Sequence, residues 1–508
     1  MVTQKTNFDL VCENMVVVNP EIPVGTFDFD KMDQAIGAAY QATMEQMPEI
    51  FSMVDRRVTL KERNTLRKEF WDKQADLVFD DITFSGIDKT QKSYLKRIIN
   101  KKDDEISIEQ LKRKYFKVFS DDKIKSIYPT TTLNSNTQSY GLHLNVKKEK
   151  DLFLEVGGIY SSRPINTGYI GLKYNLFGKT SSTIWANSYF GKFYGSVSVG
   201  TRFDFAGAIP FSIEPNLVFN RWDYFTSFAT FFEDVQPSFI VVNERFGGLK
   251  FKFPVRNKGR IEMNFDYAEI NDNYYQSTQF LPVDTADRTR LIVQAANVRF
   301  DRNTLNKKQY PNKGTRLSLE GKMLSGEEQT IPGSTSAISD TTYNQREWVT
   351  LKMTYTNYFQ KLGLVKLGFH LEGVGSTQPF MRNHVSTLIS APAFQPIPES
   401  RTFFINAFRA HNYAAGGLMI VASISKSIDW RGEGYIFNPF GSIESSPDGG
   451  SWYDWGSKQY YVGSSSLVYH SPLGPLSFSV NYYDQKEKPW SVVLNFGYII
   501  FNRSVRNI

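Results

Sequence analysis

The chain has a single cysteine and no long apolar run. Because Cys12 is the only cysteine among 508 residues, an internal disulfide and a zinc site built on cysteines are excluded. The five histidines lie far apart in the sequence and show no metal-ligand spacing, so we expect neither a metal ion nor another cofactor. No stretch approaches the roughly 18 consecutive apolar residues of a membrane-spanning helix. Any membrane crossing must therefore use strands.

Motifs of hydrolytic catalysis are missing as well. The pattern Gly-x-Ser-x-Gly of a nucleophile elbow does not occur. The sequence GSVSVG at residues 195–200 has the wrong spacing, and Asp448-Gly449-Gly450 is typical of a glycine-rich turn. We therefore assign no catalytic residue, and the sequence leaves open whether the protein belongs to an enzyme. The first residues, MVTQK, carry no apolar export-signal core, so we expect an exported form to begin upstream of them.

The composition combines many aromatic residues with a low mean hydropathy. Phe, Trp and Tyr make up 15% of the chain, yet the mean hydropathy is −0.37. This pairing is unusual for a soluble enzyme but natural for a barrel whose apolar residues are diluted by a polar lumen. The formal charge is +7, and the basic residues are scattered rather than clustered, so no nucleic-acid partner is expected.

Alternation of apolar and polar residues dominates from residue 152 onward. The run 476–482 places Leu476, Phe478 and Val480 on one face, and 490–500 repeats the pattern. The polar faces carry charges of both signs, and each Arg or Lys facing the middle of a lipid bilayer would cost about 2–4 kcal/mol. No helical layer remains to cover the apolar faces of a soluble sheet. We therefore predict a transmembrane barrel with its charged residues in the lumen, since closure also pairs every strand edge.

Two smaller segments precede this region. Residues 1–75 predict a short strand at 14–22 and two helices, one ended by Pro48, which is too little to bury a core alone. Residues 76–150 predict the order β-α-α-β-β, with Ser107 as N-cap of the second helix and Gln110 at the capping-box position.

The last two regions together resemble the BamA/TamA-like outer-membrane assembly superfamily. The stretches that carry the likeness are FDDITFSGI at 79–87, RFDRNTLNKKQYPNKGTRLSLEG at 299–321 and YHSPLGPLSFSV at 469–480. The resemblance implies a POTRA domain at 76–150 before a barrel of sixteen strands at 151–501, with a tail at 502–508. The predicted fold is mainly β: a 16-stranded transmembrane antiparallel β-barrel preceded by one β-α-α-β-β POTRA domain. It also implies an outer-membrane location with the N-terminal domains in the periplasm.

The longest predicted loop, between the eleventh and twelfth strands, resembles the Val-Arg-Gly-Phe/Tyr loop that plugs barrels of this superfamily. The residues that carry this likeness are Phe408, Arg409, His411, Tyr413 and Gly416. A guanidinium inside a barrel must find a carboxylate, a carbonyl or an aromatic face, so a docked Arg409 would hold the loop. In the superfamily its partner is an Asp in a late strand, where this chain has Pro439. The resemblance therefore leaves three substitutes, namely Glu320, Glu372 and Glu433.

A second resemblance concerns the start of the chain. The segment 14–42, with GTFDFDKMDQAIGAAYQA, is similar to the last strand and helix of patatin-like phospholipases, which hydrolyse lipid esters with a Ser–Asp dyad. It implies that 1–75 is the short helical remnant of a patatin-like domain. The chain would then be the membrane-anchoring or translocating part of such a phospholipase, without its catalytic core. The alternative is a BamA/TamA-like assembly or translocation factor, and a third reading is a passive pore.

The phospholipase and the assembly-factor interpretations imply similar partners. We expect the barrel to contact outer-membrane lipid, and the POTRA edge to bind an extended peptide by strand addition. The first reading adds an upstream patatin-like domain as a partner.

Overall fold

The computed structural model describes residues 15–21, 31–54, 58–73, 77–99, 105–119, 121–134, 139–178, 180–205, 210–224, 239–256, 258–277, 280–485 and 489–506. It divides into one unit of residues 1–77 with 134–139 and another of residues 78–133 with 140–508. Among the described residues, no helix has both the length and the apolar character needed to span a membrane.

The first unit is helical. Its helices are α1 Met32–Glu45, α2 Met47–Met53 and α3 Leu60–Trp71, and none of them contains a buried residue. Pro48 stands in the first turn of α2 rather than after one long helix, because proline fits the first helical turn without losing a hydrogen bond. The strand predicted at 14–22 is absent over residues 15–21, and its two ends lie outside the described residues.

A small α/β sheet domain opens the second unit. Its strands are β1 Val78–Ser85, β2 Ile106–Ser107, β3 Ile124–Asn134 and β4 Ser139–Lys148, in the sheet order β2-β1-β4-β3. Its helices are α4 Lys89–Ile99 and α5 Ile108–Phe119. The two-residue β2 was not predicted, since Ser107 was expected to cap α5. Its Oγ still accepts a long bond of 3.5 Å from the Gln110 amide, so one residue serves both elements.

Sixteen strands then close into one antiparallel barrel, which confirms the predicted fold class. The remaining strands of the chain are β5 Leu152–Ser161, β6 Thr167–Leu176, β7 Ser181–Gly191, β8 Tyr194–Phe205, β9 Phe211–Tyr224, β10 Ile240–Val255, β11 Gly259–Tyr274, β12 Asp287–Asn303, β13 Gly314–Ile331, β14 Thr342–Leu362, β15 Val365–Ser376, β16 Tyr413–Ser423, β17 Ile428–Pro439, β18 Ser442–Ser445, β19 Ser451–Asp454, β20 Tyr460–Ser471, β21 Gly474–Tyr483 and β22 Trp490–Gly497. Strands β18 and β19 pair with each other outside the barrel wall.

The barrel wall has an apolar outer face and a polar inner face. Along β9, Leu217 and Phe219 are about half exposed, whereas Asn216 and Asn220, which flank this pair in the sequence, are buried. Charges on the inner face find partners of opposite sign, as where the Lys252 ammonium donates to Glu214 at 2.7 Å. An apolar exterior around a charged interior is the arrangement of a barrel that spans a lipid bilayer.

The small sheet domain is joined to the barrel by charge pairs. Lys123, whose side chain is 1% exposed, lies 2.6 Å from the Asp204 carboxylate near the end of β8. Asp122 accepts from Lys173 of β6 at 2.7 Å and from Arg202 of β8 at 3.0 Å. These contacts hold the domain against the barrel end that carries the connections following β6 and β8.

Candidate functional site in the barrel lumen

The connection between β15 and β16, residues 377–412, enters the barrel lumen. These strands are the eleventh and twelfth of the barrel, as predicted. The connection contains α6 His384–Ser390 and short 3-10 helices at Pro398–Thr402 and Asn406–Phe408. It contacts opposite walls, since Asn383 donates to Tyr274 of β11 and Ser479 of β21 donates to Glu399 at 3.3 Å. We call residues 377–412 the plug loop.

Arg409 binds backbone carbonyls within the plug loop. Its Nη1 donates to the carbonyl oxygens of Leu388 at 3.0 Å, Ile389 at 3.3 Å and Ala391 at 3.2 Å. These oxygens lie at the C-terminal end of α6, where unpaired carbonyls and the helix dipole favour a cation. The guanidinium also lies 4.1 Å from the centre of the Phe404 ring. Arg409 therefore ties the second half of the plug loop to its first half.

The three glutamates suggested as partners of Arg409 are bonded elsewhere. Glu320 accepts from Asn297 at 2.6 Å, Glu372 from Lys352 at 3.0 Å, and Glu433 forms an ion pair with Arg431 at 2.7 Å. All three are therefore wrong as partners. In place of a carboxylate, three carbonyl oxygens accept from Nη1 and the Phe404 ring faces the guanidinium.

The other residues of the predicted motif occupy different elements. Phe408 is buried against Phe437 of β17, and His411 bonds to the Tyr453 hydroxyl of the β18–β19 hairpin at 2.7 Å. Burial lowers the pKa of His411 to about 4. Tyr413 and Gly416 belong to β16 rather than to the loop.

Tyr413 links the wall to one of the glutamates. Its hydroxyl donates to Glu372 of β15 at 2.7 Å. Gly416 lies opposite Leu371 of the same neighbouring strand. The predicted motif is therefore divided: Arg409 anchors the plug loop, whereas Tyr413 and Gly416 belong to the first residues of β16.

Glu399 is a second anchor of the plug loop that the sequence reading missed. Its Oε1 accepts from Tyr310 at 2.8 Å and from Asn495 of β22 at 3.2 Å. Asn495 in turn accepts from Ser161 of β5 at 2.5 Å. Burial raises the pKa of Glu399. Nothing in the local sequence distinguishes this glutamate from one exposed in an outer loop, so only its tertiary contacts reveal it.

A second insertion is the connection between β12 and β13, residues 304–313. Tyr310 is buried there with a φ of +55°, a conformation that non-glycine residues seldom adopt. The carbonyl of Pro311 accepts from Arg431 of β17 at 2.6 Å. Lys307 lies 3.2 Å from Asp429, which also accepts from His470 at 2.8 Å. Pro311 belongs to the stretch 299–321 that resembles the superfamily, and the structure places this turn inside the barrel.

A third insertion follows β22. The strand ends at Gly497, before the predicted barrel boundary at residue 501, and residues 498–506 run along the inner wall. The three insertions together line a cavity of about 620 Å³. Its walls are strongly polar and carry charged groups of both signs, among them Lys250, Glu262 and Arg316. Among the described residues, no group of three or more His, Cys, Asp or Glu is placed to hold a metal ion.

Comparisons with known proteins bear on the fold. No family model matches the chain, and no curated protein matches it. The solved structure of BamA from Haemophilus ducreyi lacking POTRA domains 1-3 matches with a TM-score of 0.54 at 13% identity, covering 83% of this chain and 84% of that one. CdiB from Acinetobacter baumannii matches with a TM-score of 0.48 at 11% identity, over 82% of this chain and 74% of that one. CdiB from Escherichia coli matches with a TM-score of 0.46 at 9% identity, over 84% and 76%.

The barrel and the BamA comparison agree. Sixteen antiparallel strands with an apolar outer belt are the architecture of outer-membrane proteins, so the predicted outer-membrane location holds. This chain therefore has the fold of a BamA-like outer-membrane barrel whose lumen is filled by segments of its own chain.

Proposed function

We propose that this chain inserts or translocates other polypeptides at the outer membrane. This is the alternative interpretation given in the sequence analysis, that of a BamA/TamA-like assembly or translocation factor. The observation that carries the proposal is the short junction between the first and last barrel strands. Strands β22 and β5 share three residue pairs, whereas β22 shares seven with β21 and β5 shares eight with β6. We call this junction the seam.

Within the part of the chain that the structure describes, some of β5 has no strand partner along the edge that faces β22. The three pairs are Asn495 with Ser161, Phe496 with Tyr160, and Gly497 with Ile159. Among the described residues, β22 adds no pair to β5 below Ile159, and the side chain of Val156 is 76% exposed. Unpaired backbone groups on a strand edge are a template for an incoming extended chain. A weak seam therefore suits a protein that receives strands.

A disulfide across the seam tests this function. In a Cys12→Ser background, Tyr160→Cys and Phe496→Cys place two thiols at directly opposed positions of the seam. We expect vesicles containing the reduced protein to speed the folding of a urea-unfolded eight-stranded outer-membrane barrel, followed by gel shift. The oxidised protein should lose this effect and regain it with reductant.

A matched control locks a different strand pair. Phe478→Cys with Leu494→Cys joins β21 to β22 at opposed positions whose native side chains are similarly exposed. Oxidation of this pair should not alter folding of the added barrel. Equal activity of the oxidised and reduced seam variants would contradict the proposal.

The small sheet domain supports a peptide-handling role. Strand β3 lies at one edge of its sheet, and the seven residues 128–134 are exposed. An exposed edge of this kind binds extended peptides by strand addition. We propose that this domain is a periplasmic POTRA domain that delivers such peptides to the barrel.

A second candidate is the membrane part of a patatin-like phospholipase. It is favoured by the similarity of 14–42 to that family and by an exposed apolar stripe on α1, formed by Met32, Ile36 and Tyr40. An in-frame domain with Gly-x-Ser-x-Gly upstream of Met1 would support it. On either reading the chain itself lacks this nucleophile motif, so it should not turn over a p-nitrophenyl acyl ester.

A further inference from the structure

The segment after β22 leaves the barrel wall at a glycine. Gly497 has a φ of +105°, and a Cβ at this position would lie 2.1 Å from the carbonyl oxygen of Gly158. Only glycine fits such a position without displacing the neighbouring backbone. The chain therefore turns inward here, and residues 498–506, which we call the lumenal segment, cross to the wall formed by β8–β13.

Two arginines of the lumenal segment bind two buried aspartates of β11. Arg503 Nη1 donates to Asp266 at 2.7 Å, and Arg506 donates to Asp272 at 2.6 Å and 3.1 Å. The Asp272 side chain is 0% exposed. A buried carboxylate that loses its guanidinium partner is strongly destabilising, so the wall requires a cation at these positions.

The wall also recognises the backbone of the lumenal segment. Glu244 accepts from the Val505 amide at 2.7 Å, and Lys322 donates to the Val505 carbonyl at 3.0 Å. Asn220 donates to the Arg503 carbonyl at 2.9 Å. Side chains from several strands thus bond to successive peptide groups, as in a groove that holds an extended peptide.

Apolar contacts complete the site. The ring of Phe501 packs edge-to-face on Tyr194 of β8, with ring centres 4.7 Å apart. Val505 is 1% exposed and belongs to the same apolar cluster as Tyr194. The wall therefore has places for an aromatic residue, an arginine, a small apolar residue and a second arginine.

We propose that the inner wall of β8–β13 is a binding site for basic extended peptides and that the lumenal segment is its tethered, displaceable occupant. Asp266 and Asp272 select peptides with basic side chains at two positions. Where the wall bonds only to the peptide backbone, the site tolerates different residues in the bound peptide. This inference does not depend on the proposed function, because the contacts that carry it lie in the lumen and its test measures peptide binding, not folding of an added barrel.

A displaced lumenal segment has a second place to bind. Continuing the register in which Gly497 pairs with Ile159 would bring Tyr498 opposite Gly158 and Ile500 opposite Val156. Ile500 and Val156 would then share the outer face with Phe496 and Tyr160, because directly opposed residues of an antiparallel pair point to the same side. Displacement from the lumen would thus allow β22 to lengthen and the seam to close.

The experiment compares the full chain with a charge-reversed variant in detergent. Arg503→Glu with Arg506→Glu repels the tethered segment from the aspartates and leaves the site open. A fluorescent peptide with the sequence of residues 501–506, FNRSVR, is titrated into each protein and its anisotropy is measured. We expect the variant to bind the peptide at least about tenfold more tightly than the parent protein, a difference of about 1.4 kcal/mol.

Two comparisons make the result specific. The peptide FNQSVQ, which lacks both guanidinium groups, should bind the same variant at least about tenfold more weakly. Reversal of two arginines on the outer face, Arg221→Glu and Arg245→Glu, breaks two more exposed pairs, with Asp223 and Glu269, and should leave peptide binding as in the parent.

Heat-dependent gel migration shows whether each variant is a folded barrel. If the folded Arg503→Glu, Arg506→Glu variant binds FNRSVR no better than the parent does, or binds FNQSVQ equally well, the proposal is overturned. If the variant does not fold, the same test is made on the parent with a proteolytic site inserted after Gly497. Cleavage should then open the site to FNRSVR, and a failure to do so overturns the proposal.

Discussion

At the scale of single residues, Arg409 shows how a barrel lumen holds a cation without a carboxylate. The guanidinium meets three carbonyl oxygens at the end of α6 and the face of Phe404. A lysine would keep a cation near these oxygens but would lose the planar guanidinium that lies over the Phe404 ring. The side chain of Arg409 thus adds to the backbone bonds that join the two halves of the plug loop, from the Phe394 amide to Phe408 and from the Ala410 amide to Pro392.

Arg409→Ala should loosen the plug loop. The loss of hydrogen bonds to a charged group costs about 1.5–3 kcal/mol, and the exposed carbonyls of α6 then need water. We expect higher ion conductance in planar bilayers and faster proteolysis within residues 377–412, with Arg409→Lys intermediate. The exposed Arg302 of β12 provides the control substitution to alanine. Unchanged conductance and cleavage in Arg409→Ala would contradict the role of this residue.

Asp122 makes the junction of the small sheet domain dependent on pH. Burial opposes ionisation, but the hydrogen bond from Lys173 and the charges of Lys123 and Arg202 outweigh it and lower the pKa of Asp122. A carboxyl whose pKa is lowered by folding stabilises above its unfolded pKa, and this contribution fades as pH falls toward the lowered value.

Acidification should therefore loosen this junction. We expect the protection of residues 121–124 against hydrogen exchange, relative to the intrinsic rate at each pH, to fall between about pH 5 and pH 3, since the unfolded aspartate titrates near 3.9. Asp122→Asn should show fast exchange already at pH 7 and little further change. Asp151→Asn, which removes an exposed pair with Lys148, is the control. Protection that does not change with pH in the parent would contradict this role.

At the scale of elements, the plug loop is connected to the seam. Glu399 accepts from Asn495 of β22, and Asn495 accepts from Ser161 of β5. The side chains of Glu399, Asn495 and Ser161 thus form one hydrogen-bonded network that connects the plug loop to both strands of the seam. A change in the loop position is expected to reach the seam through these groups.

Glu399→Ala should weaken the seam selectively. Tyr310 and Asn495 would lose a buried acceptor, which costs about 1–3 kcal/mol per unsatisfied group. We expect faster hydrogen exchange at 159–161 and 495–497, with little change in β13 and β14. Glu399→Gln keeps an acceptor oxygen and should have a smaller effect. Equal exchange at the seam in all three proteins would show that the loop and the seam are independent.

At the scale of the whole molecule, the closed barrel predicts how the chain behaves in detergent. The outer face exposes apolar side chains on strands all around the barrel, so the folded protein should require detergent or lipid. A closed network of strand pairs also resists denaturation by dodecyl sulfate until it is heated. We expect boiled and unboiled samples to migrate differently on a gel. A chain that stays soluble without detergent and migrates identically in both cases would contradict the barrel.

Local sequence patterns predict most of the strands of this barrel, but they do not predict which residues contact each other in the lumen. The period of two marks strands such as β21 and β22, and the long gap between the eleventh and twelfth strands marks the plug loop. The sequence named carbonyls and aromatic faces among the groups that could bind Arg409, but it could not identify which ones, because a backbone carbonyl has no sequence signature. Glu399, Tyr310 and the lumenal segment escaped prediction because each is defined by contacts with strands far away in the sequence.

The sequence by itself determined the barrel, because alternation of apolar and polar residues decides which face of each strand meets lipid. It also determined that Arg409 must find a partner, because a guanidinium cannot remain unsatisfied in a lumen. Only the tertiary structure decided which segments enter the barrel and where the wall is weakest. The physical reason is that strand faces follow from neighbouring residues, whereas lumenal contacts arise when distant segments compete for the same buried charges.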